Sequence, residues 1–347
     1  MNANERKCAL AWLRHSRSFA FICGLLAASL HIPATAAPLL NVSYDVARSL
    51  YKDMNPAFAA QWKQQTGQTI TIDQSHGGSS KQARAVIDGL DADVVTMNNP
   101  LDIDAIADAG LLPKNWAEAF PDGSSPSWSP IVFVVRKGNP SGIHDWPDLV
   151  RPGIQVVLPN PKTSGNGRYS YLAAWQYART RPGASDTDSI AFEKRLFANV
   201  PVLDVGGRDA TTTFVQRGIG NVLLTFESEA RLILANFGAD RYEIVIPSIT
   251  VRADNPVAVV EKVAAKKGNT ALALAYLKFH YSPAAQEILM RNGLRPADPA
   301  ALQKHAAEFP PLHTFTVARD FGGWQHAQTL HFAGGGIFDQ IIARTSK

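Results

Sequence analysis

Two hydrophobic periods take turns along this chain. Leu39-Leu-Asn-Val-Ser-Tyr44 reads as a strand, and Asp45 then opens a stretch in which Tyr51, Phe58 and Trp62 recur at near-helical spacing. A β-branched run at 69–72 leads into Gly77-Gly78, after which Ser79 and Ser80 open a helical pattern reaching about Gly89. Residues 92–97 read as a third strand, and 102–109 as a helix ended by Gly110. Beyond the turn-rich passage 121–130, residues 131–136 form a long apolar strand closed by Lys137-Gly-Asn-Pro140. Further strands fall at 154–158, 200–205, 221–226 and 242–246, with helices near 167–180, 189–198, 209–217 and 227–236. The Pro-containing passage 247–256 runs into a strand at 257–260, and helical segments at 271–280 and 283–290 follow.

This alternation predicts an α/β protein whose sheets are mainly parallel and flanked by helices. Two such sets, joined at two extended crossings, predict two lobes with a ligand cleft between them. The expected lobes are 38–127 with 250–347, and 128–249. In open α/β sheets, ligands bind beyond the C-terminal ends of the strands, where helix starts converge.

Composition changes the picture mainly at the N-terminus. The 347 residues suffice for two full cores, and 46% hydrophobic against 18% charged residues describes a globular chain. Arg6, Lys7, Arg14 and Arg17 precede an apolar run at 19–30 and then Ala34-Thr-Ala-Ala37. Positive, apolar and small-residue regions in that order predict a secretory signal peptide cut after Ala36 or Ala37, and hence a periplasmic location. The apolar run is short for a membrane anchor, and Ile22 before Cys23 fits lipid attachment poorly. Removal of this segment takes four of the 34 Lys and Arg and one of the 30 Asp and Glu. That leaves 30 basic against 29 acidic residues, a net of +1. The basic excess is therefore no argument for a nucleic-acid partner. Cys8 and Cys23, the two cysteines, leave with it, so the expected mature chain has no disulfide, thiol nucleophile or cysteine metal ligand.

The candidate chemistry lies at the strand ends. Gly77-Gly78 followed by Ser79 brings the free N–H groups and positive dipole end of a helix start within close reach of a ligand. One such loop also marks an ordinary strand-to-helix turn. Three more resemble it: Ser43-Tyr44-Asp45, Pro159-Asn-Pro-Lys-Thr-Ser-Gly-Asn-Gly-Arg168, and Asp204-Val-Gly-Gly-Arg-Asp-Ala-Thr-Thr-Thr213. Together they would aim several orphan N–H groups into one cleft, which suits an oxyanion. A dianion leaving water needs hydrogen bonds to nearly every oxygen, and neutral N–H and O–H donors can supply them. A pocket of donors disfavours a protonated oxyanion, whose O–H needs an acceptor; the Asp45 carboxylate is the one such acceptor in view. Enzyme readings find little support. No G-x-S-x-G, H-E-x-x-H or G-x-x-x-x-G-K-[ST] string is present. His326 and His331, five apart, read as a surface pair rather than a metal site, and His76 as a turn histidine bonded to backbone. Glu227 and Glu229 read as partners for lysine or arginine. No cofactor or metal is expected.

From Leu39 to about Gln340 the chain resembles the periplasmic sulfate/thiosulfate-binding proteins of bacterial ABC importers. The resemblance rests on Leu40-Asn-Val-Ser-Tyr-Asp45, Gln74-Ser-His-Gly-Gly-Ser-Ser-Lys-Gln-Ala83 and Val134-Val-Arg-Lys-Gly-Asn-Pro140. It continues in Ile143-His-Asp-Trp146, Pro159-Asn-Pro-Lys-Thr-Ser-Gly165, Tyr171-Leu-Ala-Ala-Trp175 and Phe321-Gly-Gly-Trp324. It implies a two-lobed (type II) solute-binding protein, monomeric, that closes over a dehydrated oxyanion and delivers it to an inner-membrane ABC permease. Carried over by position, Asp45, Ser79, Gly165, Asn166 and Gly207 donate main-chain N–H groups and Ser164 its hydroxyl. Phe226 departs from sulfate-binding relatives, which place a tryptophan N–H there. That departure, with Thr225-Phe-Glu-Ser-Glu229 and Thr211-Thr-Thr-Phe214, is closer to the thiosulfate-binding branch. Loss of one donor favours thiosulfate, in which a weakly accepting sulfur replaces an oxygen. The alternatives are a receptor for molybdate or phosphate and, from a different class, a secreted ester hydrolase.

Overall fold

A computed structural model describes residues 37–343; the expected signal peptide and both cysteines lie outside the described residues. Among the described residues the strands are β1 (Leu39–Tyr44), β2 (Ile72–Gly77), β3 (Val94–Thr96), β4 (Ser127–Arg136), β5 (Val156–Pro159) and β6 (Leu203–Asp204). They continue with β7 (Val222–Phe226), β8 (Tyr242–Val245), β9 (Thr250–Asp254), β10 (Val257–Val259), β11 (Arg295–Pro296) and β12 (Thr314–Phe315). The helices that matter for the site are α1 (Arg48–Thr66), α2 (Ser79–Ile87), α3 (Pro100–Asp108), α4 (Gly165–Arg179), α5 (Asp186–Ala198), α6 (Gly207–Val215) and α7 (Glu227–Phe237).

The strands make two sheets. The first has four strands in the order β10-β3-β1-β2. Its β1, β2 and β3 are parallel, and β10 closes the edge antiparallel to β3. The second has eight strands, with the main path β12-β9-β4-β7-β5-β6. Parallel pairing holds for β5 with β6 and β7. The long strand β4, however, runs antiparallel to β7, β8, β9 and β11, so this sheet is mixed rather than mainly parallel. The reason is the direction in which β4 enters. Its first residues pair with β9, and its later ones turn to β7 and β8. Parts of the passages 121–130 and 247–256 are thus neighbouring strands bonded to each other.

Burial explains the patterning. Nine of the ten β4 residues are buried, as a strand covered on both faces requires. One core packs Val42 and Val95 of the first sheet against Ala83 and Val86 of α2 and Ile103 and Ile106 of α3. Another packs Val132, Val157 and Leu223 of the second sheet against Phe214 of α6 and Ile233 of α7. Each such large side chain withdrawn from water contributes roughly 1.5–3 kcal/mol. In α1, Tyr51 and Phe58 are buried and Trp62 is packed against them, as their spacing predicts. The C-terminal helix Ile337–Ile342 lies on α5, where Phe338 meets Phe197 and Tyr171.

Candidate functional site

Each of the four strand-end loops is built by its own sequence. After β1, Asp45–Ala47 makes one 3-10 turn before α1. After β2, Gly78 takes an extended conformation and α2 begins at Ser79. After β5, Ser164 is the N-cap of α4, its hydroxyl oxygen accepting from Gly167 N at 3.4 Å. After β6, Gly206 is the N-cap residue of α6. Asn160 sets the β5 loop by donating its N–H to Asp204 O (2.7 Å) and by accepting from Ser164 N (3.0 Å). Thr163 Oγ1 donates to Val205 O at 2.8 Å, which locks the two loops of the second sheet together.

Loops from the two sheets meet, and the glycines show how closely. A Cβ placed on Gly78 would lie 3.2 Å from Thr163 O. One on Gly165 would lie 2.9 Å from Asn98 Cγ, and one on Gly206 2.6 Å from Asp45 Oδ2. One on Gly207 would come within 3.1 Å of Asn166 Nδ2 and 3.2 Å of Val46. Side chains at these positions would hold the walls apart. The first N–H groups of α2, α4 and α6 have no acceptor inside their helices, and this packing brings the loops that open them against one another. Ser79, Ser164, Gly165, Asn166 and Gly207 are all buried.

Asp45 stands between the walls. Its Oδ1 accepts from Val46 N and its Oδ2 from Arg208 N, both at 3.0 Å, so its carboxylate caps α6 from across the cleft. Burial pushes its pKa up, against the two backbone bonds and the Arg208 charge, which lower it. Phe226 is buried at the end of β7, and its ring meets Tyr169 edge-on at 5.9 Å. Asn166 Nδ2 donates to Thr225 Oγ1 at 3.0 Å beside it. These contacts bring the α4 start and the Phe226 strand end to one place.

Glu227 and Glu229 do pair with arginine. Glu227 meets Arg295 and Arg231, whereas Glu229 faces Arg208 at 3.3 Å and accepts from Thr211 Oγ1 at 2.8 Å. Glu229 is fully buried, and desolvation pushes its pKa up to about 7, against the Arg208 charge and the Thr211 bond. The folded state therefore holds a proton that the unfolded state, titrating near 4.5, gives up sooner. Stability from this group is complete below pH 4.5 and is lost as pH rises to about 7, at up to about 1.4 kcal/mol per pH unit. Glu229→Gln is expected to flatten the urea-unfolding midpoint between those pH values; a slope equal to the parent's would contradict this origin.

The sequence left several neighbours unmarked. Asp102 of α3 and Arg168 of α4, both buried, oppose each other at 3.9 Å beside a cavity of about 360 Å³ lined also by Ser80, Gln325 and Gln328. Trp324 stands edge-on to Tyr169 at 5.0 Å. Asn98 follows β3 and presses on Gly165; the strand-end rule applied to β3 would have found it. His76 behaves as expected, its Nδ1 3.2 Å from Tyr44 O. The surface reading of His331 is corrected. It is buried, bonded through Nδ1 to Tyr171 Oη at 3.0 Å, and burial pushes its pKa down to about 4, whereas His326 is exposed. The π-helical turn Gln328–Phe332 tucks it inward, which five-residue spacing on a regular helix does not reveal.

Residues 44–295 match the family of bacterial extracellular solute-binding proteins. A thiosulfate-binding protein of Pseudomonas aeruginosa is 54% identical, over 93% of this chain and 98% of its own length. A sulfate-binding protein of Salmonella typhimurium is 52% identical, over 92% and 97%. Among solved structures, the sulfate-binding protein of Mycobacterium tuberculosis superposes with a TM-score of 0.77 at 34% identity, covering 84% of this chain and 98% of that one. The architecture is that of the two-lobed periplasmic binding proteins.

Proposed function

The chain belongs to the bacterial extracellular solute-binding proteins, and from that premise we propose that it captures sulfate and thiosulfate in the periplasm and hands them to an ABC permease. It works as a monomeric binder, not as a catalyst. The lobes are 38–127 with 250–347, and 128–249, and the anion lies between them. The observation that carries this reading is the packing of loops across two sheets: Gly78 before α2 on Thr163 before α4, Gly207 of α6 on Asn166 of α4, and Asp45 on the α6 start. Backbone N–H groups of Asp45, Ser79, Gly165, Asn166 and Gly207, with the Ser164 hydroxyl, are the donors. Ser164 Oγ accepts from Gly167 N, which leaves its proton to be donated to an oxyanion.

The same geometry sets the protonation state of the ligand. Both oxygens of Asp45, the acceptor that would welcome a protonated oxyanion, accept backbone N–H groups. A fully deprotonated tetrahedral dianion is thereby preferred over hydrogen phosphate. At Phe226 no donor exists, and a bond to a charged group contributes about 1.5–3 kcal/mol, so thiosulfate is preferred over sulfate. The names of the relatives, thiosulfate-binding and sulfate-binding at similar identity, agree with a site that takes both.

Calorimetric titration of ligand-stripped protein with sulfate, thiosulfate, molybdate and phosphate tests this. Sub-millimolar binding of both sulfur anions is expected, thiosulfate tighter and phosphate weaker. No such binding to either sulfur anion would overturn the reading, and tighter molybdate or phosphate would replace it.

A further inference from the structure

Asn98 follows β3, the strand beside β1 in the first sheet, and it is 3% exposed. Its amide lies against Gly165, the first residue of α4, with its oxygen nearest. A Cβ at Gly165 would be 2.9 Å from Asn98 Cγ and 3.2 Å from its Nδ2. Met97, the residue before it, takes the Ser79 hydroxyl at 3.6 Å from its sulfur. Asn98 therefore sits between the helix starts of α2 and α4, where two of the proposed donors point. Yet its buried Oδ1 has no hydrogen-bond partner among the described residues. The contrast with Asn99 is direct, because Asn99 Oδ1 accepts from Leu101 N at 2.9 Å and caps α3.

A buried amide oxygen without a partner is costly and calls for an explanation. The two ends of an asparagine amide are interchangeable by a half-turn about χ2, so the same position can present two N–H donors. We infer that Asn98 is a ligand-contacting, specificity-determining residue whose side-chain amide donates a hydrogen bond to the bound oxyanion. This rests on the oxyanion reading above and adds a side-chain donor from the first sheet, beside Gly165 of the second. It supplies one anion oxygen in a site where Phe226 supplies none. It also reads protonation, since the half-turned amide donates to a bare oxygen and presents no acceptor to a hydroxyl.

Titrating sulfate and thiosulfate into the parent, Asn98→Ala and Asn98→Asp tests the assignment. Asn98→Ala is expected to weaken both anions by about tenfold to a hundredfold, the usual effect of losing a bond to a charged group. Its ligand-free melting temperature should match or exceed the parent's, because the orphaned amide oxygen is removed; packing alone would lower it. Asn98→Asp keeps the shape and exchanges the donor for a charge, so it should weaken both anions further than alanine does. Parent-like affinity in either variant would overturn the assignment. A parent that binds neither sulfur anion would instead refute the oxyanion reading itself.

Discussion

Glu227→Ala is expected to cost the fold about 3–5 kcal/mol, the penalty for removing one partner of a buried ion pair. Glu227 opens α7 directly after Phe226. Its Oε2 accepts from Arg295 Nε at 2.6 Å, and its Oε1 from Arg295 Nη2 at 3.2 Å and Arg231 Nη2 at 2.8 Å. The Arg295 side chain is 1% exposed, with its guanidinium 5.3 Å from the Trp128 ring and 5.4 Å from that of Phe309. Without the carboxylate, the guanidinium keeps, among the described residues, its bond to Pro310 O (2.9 Å) beside the two rings. Arg295 also pairs with Trp128 at the start of β4, so the strain reaches the strand that β7, β8 and β9 pair with. The paired change Glu227→Leu with Arg295→Met should recover most of the loss, since a packed apolar pair costs no desolvation of charge. Urea unfolding of the single and double variants checks this; a loss below about 1 kcal/mol in Glu227→Ala would contradict it.

Gly167→Ala is the substitution expected to damage structure and site together. A Cβ there would overlap the Pro159 carbonyl oxygen and sit 2.8 Å from both Asn160 C and Pro161 N. All three are backbone, so no rotamer relieves the clash, and α4 must move off β5. Overpacking of this kind typically costs 1–3 kcal/mol, occasionally more. The displaced helix start carries the N–H groups of Gly165 and Asn166 with it, so anion affinity should fall roughly tenfold or more. Gly334→Ala is the control, because a Cβ at Gly334 meets open space. Calorimetry with thermal melts should separate the two: Gly334→Ala like the parent, Gly167→Ala weaker and less stable. Parent-like behaviour of Gly167→Ala would show that α4 is not held as described.

The sequence marks the helix starts well because glycine and hydroxyl residues punctuate them locally. Ser79 opens α2 where the pattern places it, and Ser164 and Gly206 cap α4 and α6, which begin at Gly165 and Gly207, two residues ahead of the expected 167 and 209. It marks poorly whatever depends on distant partners. Ser127-Trp-Ser-Pro130 looks like a turn, yet it is strand, because β9 and β11 supply its hydrogen bonds. The expected strand at 200–205 contracts to Leu203–Asp204, where β5 offers a neighbour. The antiparallel course of β4 depends on which strands lie beside it, and hydrophobic period carries no direction. Asn98 is half legible: the strand-end rule marks its place after β3, but its contact with Gly165, far away in sequence, is not readable there.

A crystal structure of the protein grown with thiosulfate tests the central claim most directly. The account predicts the anion between the two sheets, its oxygens about 2.7–3.2 Å from the backbone nitrogens of Ser79, Gly165, Asn166 and Gly207. An anion held instead by lysine or arginine side chains, away from these helix starts, would contradict it.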